Sequence, residues 1–243
     1  MIPANAEIQI AEPRRGWLRV LVAAALCLAT LWAGSYGWNA WSAYAGYRKY
    51  EPQEGDVVFQ SLPHGPVVWA IEGVTKSPYS HCGIVARKDS QWVVYEALGK
   101  VRVTPLKKFL YRGRGGGFVV YRLRDDHREH VPATIQCCEN YLGRPYDIRY
   151  RLDDEKIYCS ELIWKAYRDA TNGQHLGDLR KFGEMNWQPY ETLIRQIEGG
   201  EVPVDREMIT PVELARARQL EPVLSHNLDA ERTPAEHVEH VMP

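Results

Sequence analysis

The sequence predicts an α+β fold, in which an antiparallel sheet packs on one helix and a membrane-spanning helix precedes both. Residues 80–86 and 91–97 are rich in β-forming residues and enclose a polar, turn-like segment, so they predict a β-hairpin. Apolar residues recur at helical intervals after Cys159, which predicts a helix with one buried face. Residues 20–37 contain no charged residue and are long enough for one membrane-spanning helix.

Cys159 lies at or beside the start of the predicted helix, whose apolar face contains Leu162, Ile163 and Ala166. Free backbone N–H groups and the positive end of the helix dipole lower the pKa of a thiol there, which favours the nucleophilic thiolate. The same amides can bind an oxyanion. Judged alone, the position also suits a buried structural cysteine, because free cysteine is among the most buried residue types.

His81 and Glu96 form the second feature of interest, one on each strand of the predicted hairpin. If the hairpin is symmetric about the Lys88/Asp89 bond, opposed residues have numbers that sum to 177, so His81 faces Glu96. Their Cβ atoms would then be about 5 Å apart. A carboxylate in that position orients an imidazole and stabilises its charged form while the other ring nitrogen faces a nucleophile. A solvent-facing pair on the hairpin is the alternative, and a one-residue slip would separate the two side chains.

Several short motifs together resemble a known family. Residues 143–147 (GRPYD) and 159–162 (CSEL) resemble the nucleophile segment of the papain-like NlpC/P60 cysteine hydrolases. Residues 80–84 (SHCGI) precede that segment, and residues 55–59 (GDVVF) match an opening strand. Because the histidine precedes the cysteine, the order resembles the circularly permuted branch, in particular the YiiX/YebB-like hydrolases, with the lecithin retinol acyltransferase group as more distant relatives. The resemblance covers about residues 54–167 and implies a circularly permuted papain-like fold.

The resemblance implies acyl transfer through a thioester on Cys159, with His81 as the base and Glu96 as the group that holds the imidazole. It implies no metal and no organic cofactor. Three further positions match the family and are candidates for oxyanion or substrate binding, namely Tyr146, Glu161 and Asp147.

Each of these three candidates has a local alternative. The hydroxyl of Tyr146 is a candidate oxyanion donor, but Tyr146 also suits the core in front of the helix. Asp147 suits a turn or cap hydrogen bond, and Glu161 suits a contact near the helix start that faces the cleft.

The function implied is that of a membrane-anchored thiol hydrolase that cleaves an amide or ester bond. A cell-wall peptide is the first choice of substrate, which would make the protein an endopeptidase or amidase. A lipid acyl hydrolase, thioesterase or acyltransferase is the main alternative, and a non-catalytic envelope binding module is the second. A polar open groove would favour a peptide, a deep apolar tunnel would favour lipid, and a misaligned cysteine and histidine would favour the binding module.

The predicted location is the bacterial inner membrane, which the chain crosses once, with the catalytic part facing the periplasm or the cell exterior. Three arginines precede residues 20–37, and only Arg48 and Lys49 follow closely, so the positive-inside rule places the N-terminus in the cytoplasm. A cleaved signal peptide remains the alternative to a signal anchor, because small-x-small sites follow the run.

The predicted organisation has five parts. They are a cytoplasmic segment (1–19), a transmembrane helix or signal anchor (20–38), a juxtamembrane connector (39–53), the papain-like hydrolase domain (54–200), and a C-terminal helix with a disordered tail (201–243). Residues 169–207 are expected to form a small cap over the cleft.

Composition excludes several function classes. A net charge of −1, from 30 basic and 31 acidic residues, favours neither nucleic acid nor an anionic membrane surface. The basic run at residues 107–114 is expected to be a solvated loop. Five cysteines without a CxxC pair do not make a disulfide framework. His226, His237 and His240 are not expected to form a metal site. The sequence predicts a peptide or acyl-group substrate and identifies no protein partner.

Overall fold

A computed structural model of the chain describes residues 15–229, and these residues form two compact units that divide between Trp38 and Asn39. Helix α1 (Arg15–Tyr47) begins in the first unit. Within the described residues, no helix combines the length and the apolar character that are needed to cross a membrane. The transmembrane helix predicted over residues 20–38 is therefore not supported by the structure.

Some predictions lie outside the described residues. These are the predictions for residues 1–14, at the start of the cytoplasmic segment, and for residues 230–243 of the tail, including His237 and His240.

The second unit contains all the described strands and the remaining helices. The strands are β1 (Val57–Gln60), β2 (His81–Lys88), β3 (Gln91–Leu98), β4 (Lys100–Pro105), β5 (Phe118–Leu123), β6 (Arg180–Lys181), β7 (Glu207–Met208) and β8 (Leu220–His226). The α-helices are α2 (Pro66–Thr75), α3 (Leu106–Tyr111), α4 (Val131–Asn140), α5 (Cys159–Ala170), α6 (Glu191–Glu198) and α7 (Pro211–Ala215).

Within residues 15–229, six strands form one antiparallel sheet in the order β4-β3-β2-β1-β5-β8, and β6 pairs separately with β7. Successive side chains of a strand point to opposite faces, so the two faces of the sheet have different partners. Helices α4 and α5 pack on one face, beside Phe59 and Ile84. Helix α3 packs on the other face, beside Val58 and Val85. The structure therefore confirms the α+β class and an antiparallel sheet packed on a helix that begins at Cys159.

The β2–β3 hairpin forms, but its predicted register is wrong. Paired residues have numbers that sum to 179, as in Val85 and Val94, and not to 177. The turn is centred on Asp89 and Ser90, whose φ angles of 48° and 64° are both positive. Positive φ at both central residues is the requirement of a two-residue type I′ turn, which matches the right-handed twist of the strands. The centre of the hairpin therefore lies one residue later than predicted.

Helix α5 is buried along most of its length, because the sheet, α4 and α7 all pack against it. Its residues from Cys159 to Tyr167 are all buried, so more than the predicted single face is covered. A fully buried Leu or Ile side chain contributes about 1.5–3 kcal/mol to folding. Leu162 and Ile163 are both fully buried, so close packing holds the start of the helix, and with it Cys159, in place.

The C-terminal part of the described chain returns to the sheet. Thr210 caps α7 by accepting a hydrogen bond of 3.2 Å from the N–H of Glu213. Strand β8 then pairs with β5 at the sheet edge, although the sequence analysis assigns residues 201–243 to a helix and a tail. β8 contains Pro222 and mostly exposed or half-exposed residues, so it lacks the apolar alternation that predicts a strand.

Candidate active site

His81 and Glu96 meet on the face of the sheet that α3 covers. Nε2 of His81 lies 2.6 Å from Oε2 of Glu96, and the exposed fractions of the two residues are 1% and 0%. The ring of Phe109 lies 5.6 Å from the imidazole, centre to centre. The contact with Glu96 occupies Nε2, so Nδ1 is the imidazole nitrogen that remains for a second partner.

Glu96 is surrounded by donors that keep it ionised. The hydroxyl of Thr104 donates to Oε1 at 2.6 Å, and Arg102 donates to the same oxygen at 3.1 Å. Arg112 donates to both carboxylate oxygens. Burial alone would raise the pKa of Glu96, but the hydrogen bonds and charges of His81 and Arg112 hold that pKa well below its usual range.

The role of Arg112 corrects one expectation. The sequence analysis treats residues 107–114 as a solvated loop, but residues 106–111 form α3 and the guanidinium of Arg112 is bound to the buried Glu96. The sequence contains no pattern that pairs Arg112 with a carboxylate sixteen positions earlier.

Cys159 is the first residue of α5 and is 2% exposed. A hydrogen bond from the Cys82 thiol is the largest influence that lowers the pKa of Cys159. Burial acts in the opposite direction, and the hydrogen bond and charge of His81 and the backbone N–H of Cys82 lower the pKa further, to well below its usual value. Cys82 itself is a neutral donor, because burial raises its pKa well above the usual value.

His81 completes an ion pair with this thiolate. Burial alone would lower the pKa of His81, but its hydrogen bonds to Cys159 and Glu96 raise the pKa above 6.5. A lowered cysteine pKa beside a raised histidine pKa favours the thiolate–imidazolium form of the pair. The structure thus brings together the three residues that the sequence analysis selects.

Two tyrosines lie close to the thiol. The hydroxyl of Tyr146 is within hydrogen-bond reach of Cys159, and its oxygen lies 3.2 Å from the hydroxyl oxygen of Tyr150. Burial raises the pKa of Tyr146 well above its usual value, so it stays a neutral donor. Tyr150 has a φ of 54°, in the left-handed region that a bulky residue rarely adopts, and its ring packs 5.1 Å from that of Tyr158.

Asp147 makes the turn hydrogen bonds that its alternative interpretation describes, and Glu161 is buried at the start of α5. Asp147 is buried and accepts hydrogen bonds of 3.0 and 2.7 Å from two backbone N–H groups of its own turn. Glu161 accepts from the N–H of Tyr158 at 3.1 Å, which caps α5, and contacts the buried Lys165 at 2.9 Å. Burial raises the pKa of Glu161 to about 7.

An apolar pocket lies beside the cysteine and is open to solvent. Tyr150 and Ser160, which directly follows Cys159, form part of its lining. Helices α2 and α6 line it as well, together with the chain around Met185 and Met208. The cavity therefore begins at the residues that surround the thiol.

Sequence reasoning missed Cys82, Thr104 and Tyr150 as parts of the site. Cys82 directly follows His81 in β2, and consecutive side chains of a strand point to opposite faces of the sheet. His81 and Cys82 can both reach Cys159 because α5 begins at the end of this strand. The spacing of Tyr146 and Tyr150, four residues apart, was the available signal for the tyrosine pair.

Comparisons with known proteins agree with this geometry. The sequence model of the family described as "Permuted papain-like amidase enzyme, YaeF/YiiX, C92 family" matches residues 51–224. Over 174 residues the chain is 31% identical to the uncharacterized protein YiiX of Escherichia coli strain K12. The aligned part covers 70% of this chain and 85% of that protein. The crystal structure of metalloprotein YiiX from Escherichia coli O157:H7 is similar, with a TM-score of 0.65 and 30% identity, over 72% of this chain and 98% of that one.

That relative is named a metalloprotein, and a metal ion needs several donor side chains that converge on one point. In residues 15–229, no group of three or more His, Cys, Asp or Glu side chains is arranged to hold one. At the candidate site, Glu96 is already bound by His81 and by the guanidinium groups of Arg102 and Arg112, whose positive charge opposes a cation. The residues present do not fit a metal at this site.

Proposed function

Because the chain belongs to the family of permuted papain-like amidases, we propose that it is a cysteine hydrolase that cleaves the amide bond of an acyl group, with Cys159 as nucleophile. The observation that carries the proposal is that the His81 imidazole, held by Glu96, lies beside the Cys159 thiol, where the histidine lowers the pKa of the cysteine and the cysteine raises the pKa of the histidine. A binding module has no chemical need for a thiolate–imidazolium pair, so this contact favours an enzyme over the non-catalytic alternative.

The reaction proceeds through a thioester. The Cys159 thiolate attacks the carbonyl carbon, and the backbone N–H of Cys159 and the hydroxyl of Tyr146 stabilise the oxyanion that forms. The tetrahedral intermediate collapses as the His81 imidazolium transfers its proton to the leaving amine, which leaves an acyl group on sulfur. His81 then takes a proton from water, and the resulting hydroxide releases the acid and restores the thiol.

Glu96 acts as a positioning residue. Its carboxylate holds Nε2 of His81, so that Nδ1 faces the thiol, and its negative charge stabilises the imidazolium. Arg112 and Thr104 keep this carboxylate ionised, so it does not take the proton itself.

The first experiment is the pH dependence of iodoacetamide alkylation, measured on the Cys159 peptide by mass spectrometry. A thiolate with a lowered pKa reacts at pH values below the ordinary cysteine midpoint of about 8.5. We expect the midpoint of wild type to lie below that value and the midpoint of His81→Ala to move upward. His64→Ala, a change to an exposed histidine, is the matched control. A midpoint near 8.5 in both wild type and His81→Ala would overturn the proposal.

The second experiment asks whether an acyl-enzyme forms. Treatment with p-nitrophenyl acetate is expected to place one acetyl group on Cys159, detectable by peptide mass, and Cys159→Ala should lack it. The rate of hydrolysis should first rise with pH as the Cys159 thiolate forms. This rise should occur below pH 8.5, because the pKa of Cys159 is lowered. The rate should then fall at a higher pH, as the His81 imidazolium loses its proton. This fall should occur above pH 6.5, because the pKa of His81 is raised. Absence of both the acetyl group and the bell shape would contradict a thioester mechanism.

The substrate class has two candidates, a cell-wall peptide and an apolar acyl group. The apolar cavity beside Tyr150 and Ser160 supports the acyl group, because a peptide groove needs unpaired polar groups along its walls.

The inner-membrane location is also part of the proposal, and it rests on the charge-free run at residues 20–37 and the arginines before it. Extraction of membranes with alkaline carbonate tests it. The full chain should stay with the membrane pellet, and recovery in the supernatant would contradict this location.

A further inference from the structure

Cys82 is a buried thiol that takes no covalent part in the proposed hydrolysis. Side chains alternate between the two faces of β2, so Cys82 and Ile84 share the face on which α5 packs. Cys159 is the first residue of α5 and belongs to the same core cluster. The fold therefore brings a second cysteine to the position of the nucleophile.

The two cysteines are close enough for their sulfur atoms to interact. The thiol of Cys82 is within hydrogen-bond reach of Cys159, and so is the backbone N–H of Cys82. Both cysteines are free, and their exposed fractions are 0% and 2%. Two groups of one residue thus contact the same sulfur, which fixes the position of Cys159 against Cys82.

The two thiols differ in the way that oxidation to a disulfide requires. Cys159 favours the thiolate, because Cys82 and His81 lower its pKa. Cys82 stays a neutral thiol, because burial raises its pKa. A peroxide oxidises a thiolate to a sulfenic acid, which then condenses with a neighbouring thiol. Cys159 is therefore the residue that a peroxide oxidises first, and Cys82 is the thiol that stands next to it.

Burial limits which thiol can react with an oxidised Cys159. A thiol from solution would have to reach a residue that is only 2% exposed. Cys82 is already in place, so its reaction bears no entropy cost of association. The other cysteines lie on different elements, with Cys27 exposed on α1 and Cys137 and Cys138 on α4. Cys82 is therefore the favoured partner.

We propose that Cys159 and Cys82 form a reversible disulfide when a peroxide reaches the site. While the disulfide is present, Cys159 has no thiolate with which to attack a carbonyl, so hydrolysis stops until a dithiol reduces the bond. Formation of the disulfide does not depend on hydrolysis, whereas its effect on activity rests on the proposed function.

The reaction balances with hydrogen peroxide as the oxidant. The Cys159 thiolate attacks one peroxide oxygen, so an S–O bond forms, the O–O bond breaks, and the departing hydroxide takes the proton of the His81 imidazolium. The Cys82 sulfur then attacks the Cys159 sulfur. The S–S bond forms as the S–O bond breaks, and the hydroxyl leaves with the Cys82 proton as water. The two cysteines lose two electrons in total, and the peroxide is reduced to two water molecules.

The first test detects the disulfide in wild type. The full chain is treated with hydrogen peroxide, the remaining thiols are blocked with N-ethylmaleimide, and the protein is digested with trypsin without a reductant. Peptides 77–87 and 157–165 contain one cysteine each. We expect them to appear as one linked peptide, which dithiothreitol separates. Absence of the linked peptide at a peroxide concentration that blocks alkylation of Cys159 would overturn the proposal.

The second test asks whether Cys82 protects Cys159 from further oxidation. In Cys82→Ala the sulfenic acid should proceed to a sulfinic acid, which dithiothreitol does not reduce. Peroxide is adjusted until wild type and variant lose alkylation to the same extent, because the variant also changes the pKa of Cys159. After dithiothreitol, the fraction of Cys159 that can be alkylated should be about tenfold lower in Cys82→Ala than in wild type.

Cys138→Ala is the matched control for the second test. It removes an equally buried thiol on α4 and should recover as wild type does. Thermal melting verifies the fold of each variant, and Cys82→Ser, which keeps a hydroxyl donor, provides the same test if Cys82→Ala does not fold. Equal recovery of the Cys82 variant and wild type would overturn the role of Cys82.

The outcomes separate this proposal from the function it rests on. A linked peptide in a chain that never accepts an acetyl group on Cys159 would overturn the hydrolase and leave the disulfide in place. Sulfinic acid on Cys159 without the linked peptide, or linkage of Cys159 to Cys138, would overturn the disulfide alone. Hydrolysis of p-nitrophenyl acetate should fall in proportion to the linked fraction and return with dithiothreitol, and activity that persists in the linked protein would contradict the switch.

Discussion

His81 and Glu96 are not directly opposed across the β2–β3 hairpin, yet Nε2 and Oε2 are 2.6 Å apart. The pairing sum of 179 places Glu96 opposite position 83. That position is a glycine, and a Cβ there would lie 2.3 Å from Cγ1 of Val94. The two side chains therefore meet diagonally past a residue that has no side chain, on the one face that both share.

Replacement of Glu96 by Gln should disable the site while keeping its shape. Loss of the negative charge lowers the pKa of His81 and raises that of Cys159, because the imidazolium loses its stabilising partner. We expect hydrolysis to slow by about 10⁴-fold, the scale seen when a triad carboxylate becomes an amide. Glu139→Gln, which removes a carboxylate bound to Tyr95 and Lys88, is the control. Equal activity of the two variants would contradict the role of Glu96.

The same substitution should change acid stability. The folded-state pKa of Glu96 is lowered, so its contribution to stability is present above the unfolded-state pKa of about 4.3 and is lost as pH falls through the folded-state pKa. The free energy of unfolding should therefore decrease on acidification below pH 4.3 more steeply in wild type than in Glu96→Gln. Urea unfolding at a series of pH values measures this difference, and parallel curves would refute it.

Cys82→Ala should raise the pKa of Cys159 and leave its identity as the nucleophile unchanged. The variant removes the thiol donor, which is the largest influence that lowers the pKa of Cys159, and it keeps the backbone N–H of residue 82, so the midpoint should move upward. Alkylation of the Cys159 peptide across pH measures it. Cys138→Ala removes an equally buried thiol on α4 and should not move the midpoint. An unshifted midpoint in Cys82→Ala would show that its thiol does not support the thiolate.

Tyr150→Gly should make Cys159 more accessible. Glycine adopts a φ of 54° without the cost that tyrosine bears, and it removes the ring that packs against Tyr158 beside the site. We expect iodoacetamide to modify Cys159 several-fold faster at a pH where the thiol is ionised. Asn172→Gly also replaces a residue with positive φ, at an exposed position, and should leave the rate as in wild type. If both variants react like wild type, Tyr150 does not control access.

Arg122 should matter more for stability than its neighbour Arg124. Arg122 donates to the fully buried Asp56 at 2.7 and 2.9 Å, so Arg122→Gln leaves a buried carboxylate without its cation. Loss of one partner of a buried pair costs about 3–5 kcal/mol. Arg124 pairs with Glu221 where both side chains are about half exposed, so Arg124→Gln should cost less than about 1 kcal/mol. Urea denaturation compares them, and equal losses would contradict this ranking.

Much of the site could be predicted because its parts are local. The helix start at Cys159 depends on the apolar spacing of the residues that follow it. The shared face of His81 and Glu96 depends on the alternation of side chains along the two strands of one hairpin. The hairpin register was predicted wrongly by one turn residue. His81 and Glu96 nevertheless lie on the same face of the hairpin, as predicted. The sum of paired residue numbers differs from the predicted sum by two, and side chains alternate between the two faces with a period of two residues.

Sequence alone therefore determined the fold class, the family resemblance and the choice of Cys159, His81 and Glu96 as the residues to examine. Only the tertiary structure decided that Arg112 holds Glu96, that Cys82 donates to Cys159, and that α2 and α6 enclose an apolar cavity beside Tyr150. The physical reason is range: caps, turns and alternation are properties of adjacent residues, whereas these contacts join segments whose approach depends on how the whole sheet and its helices pack.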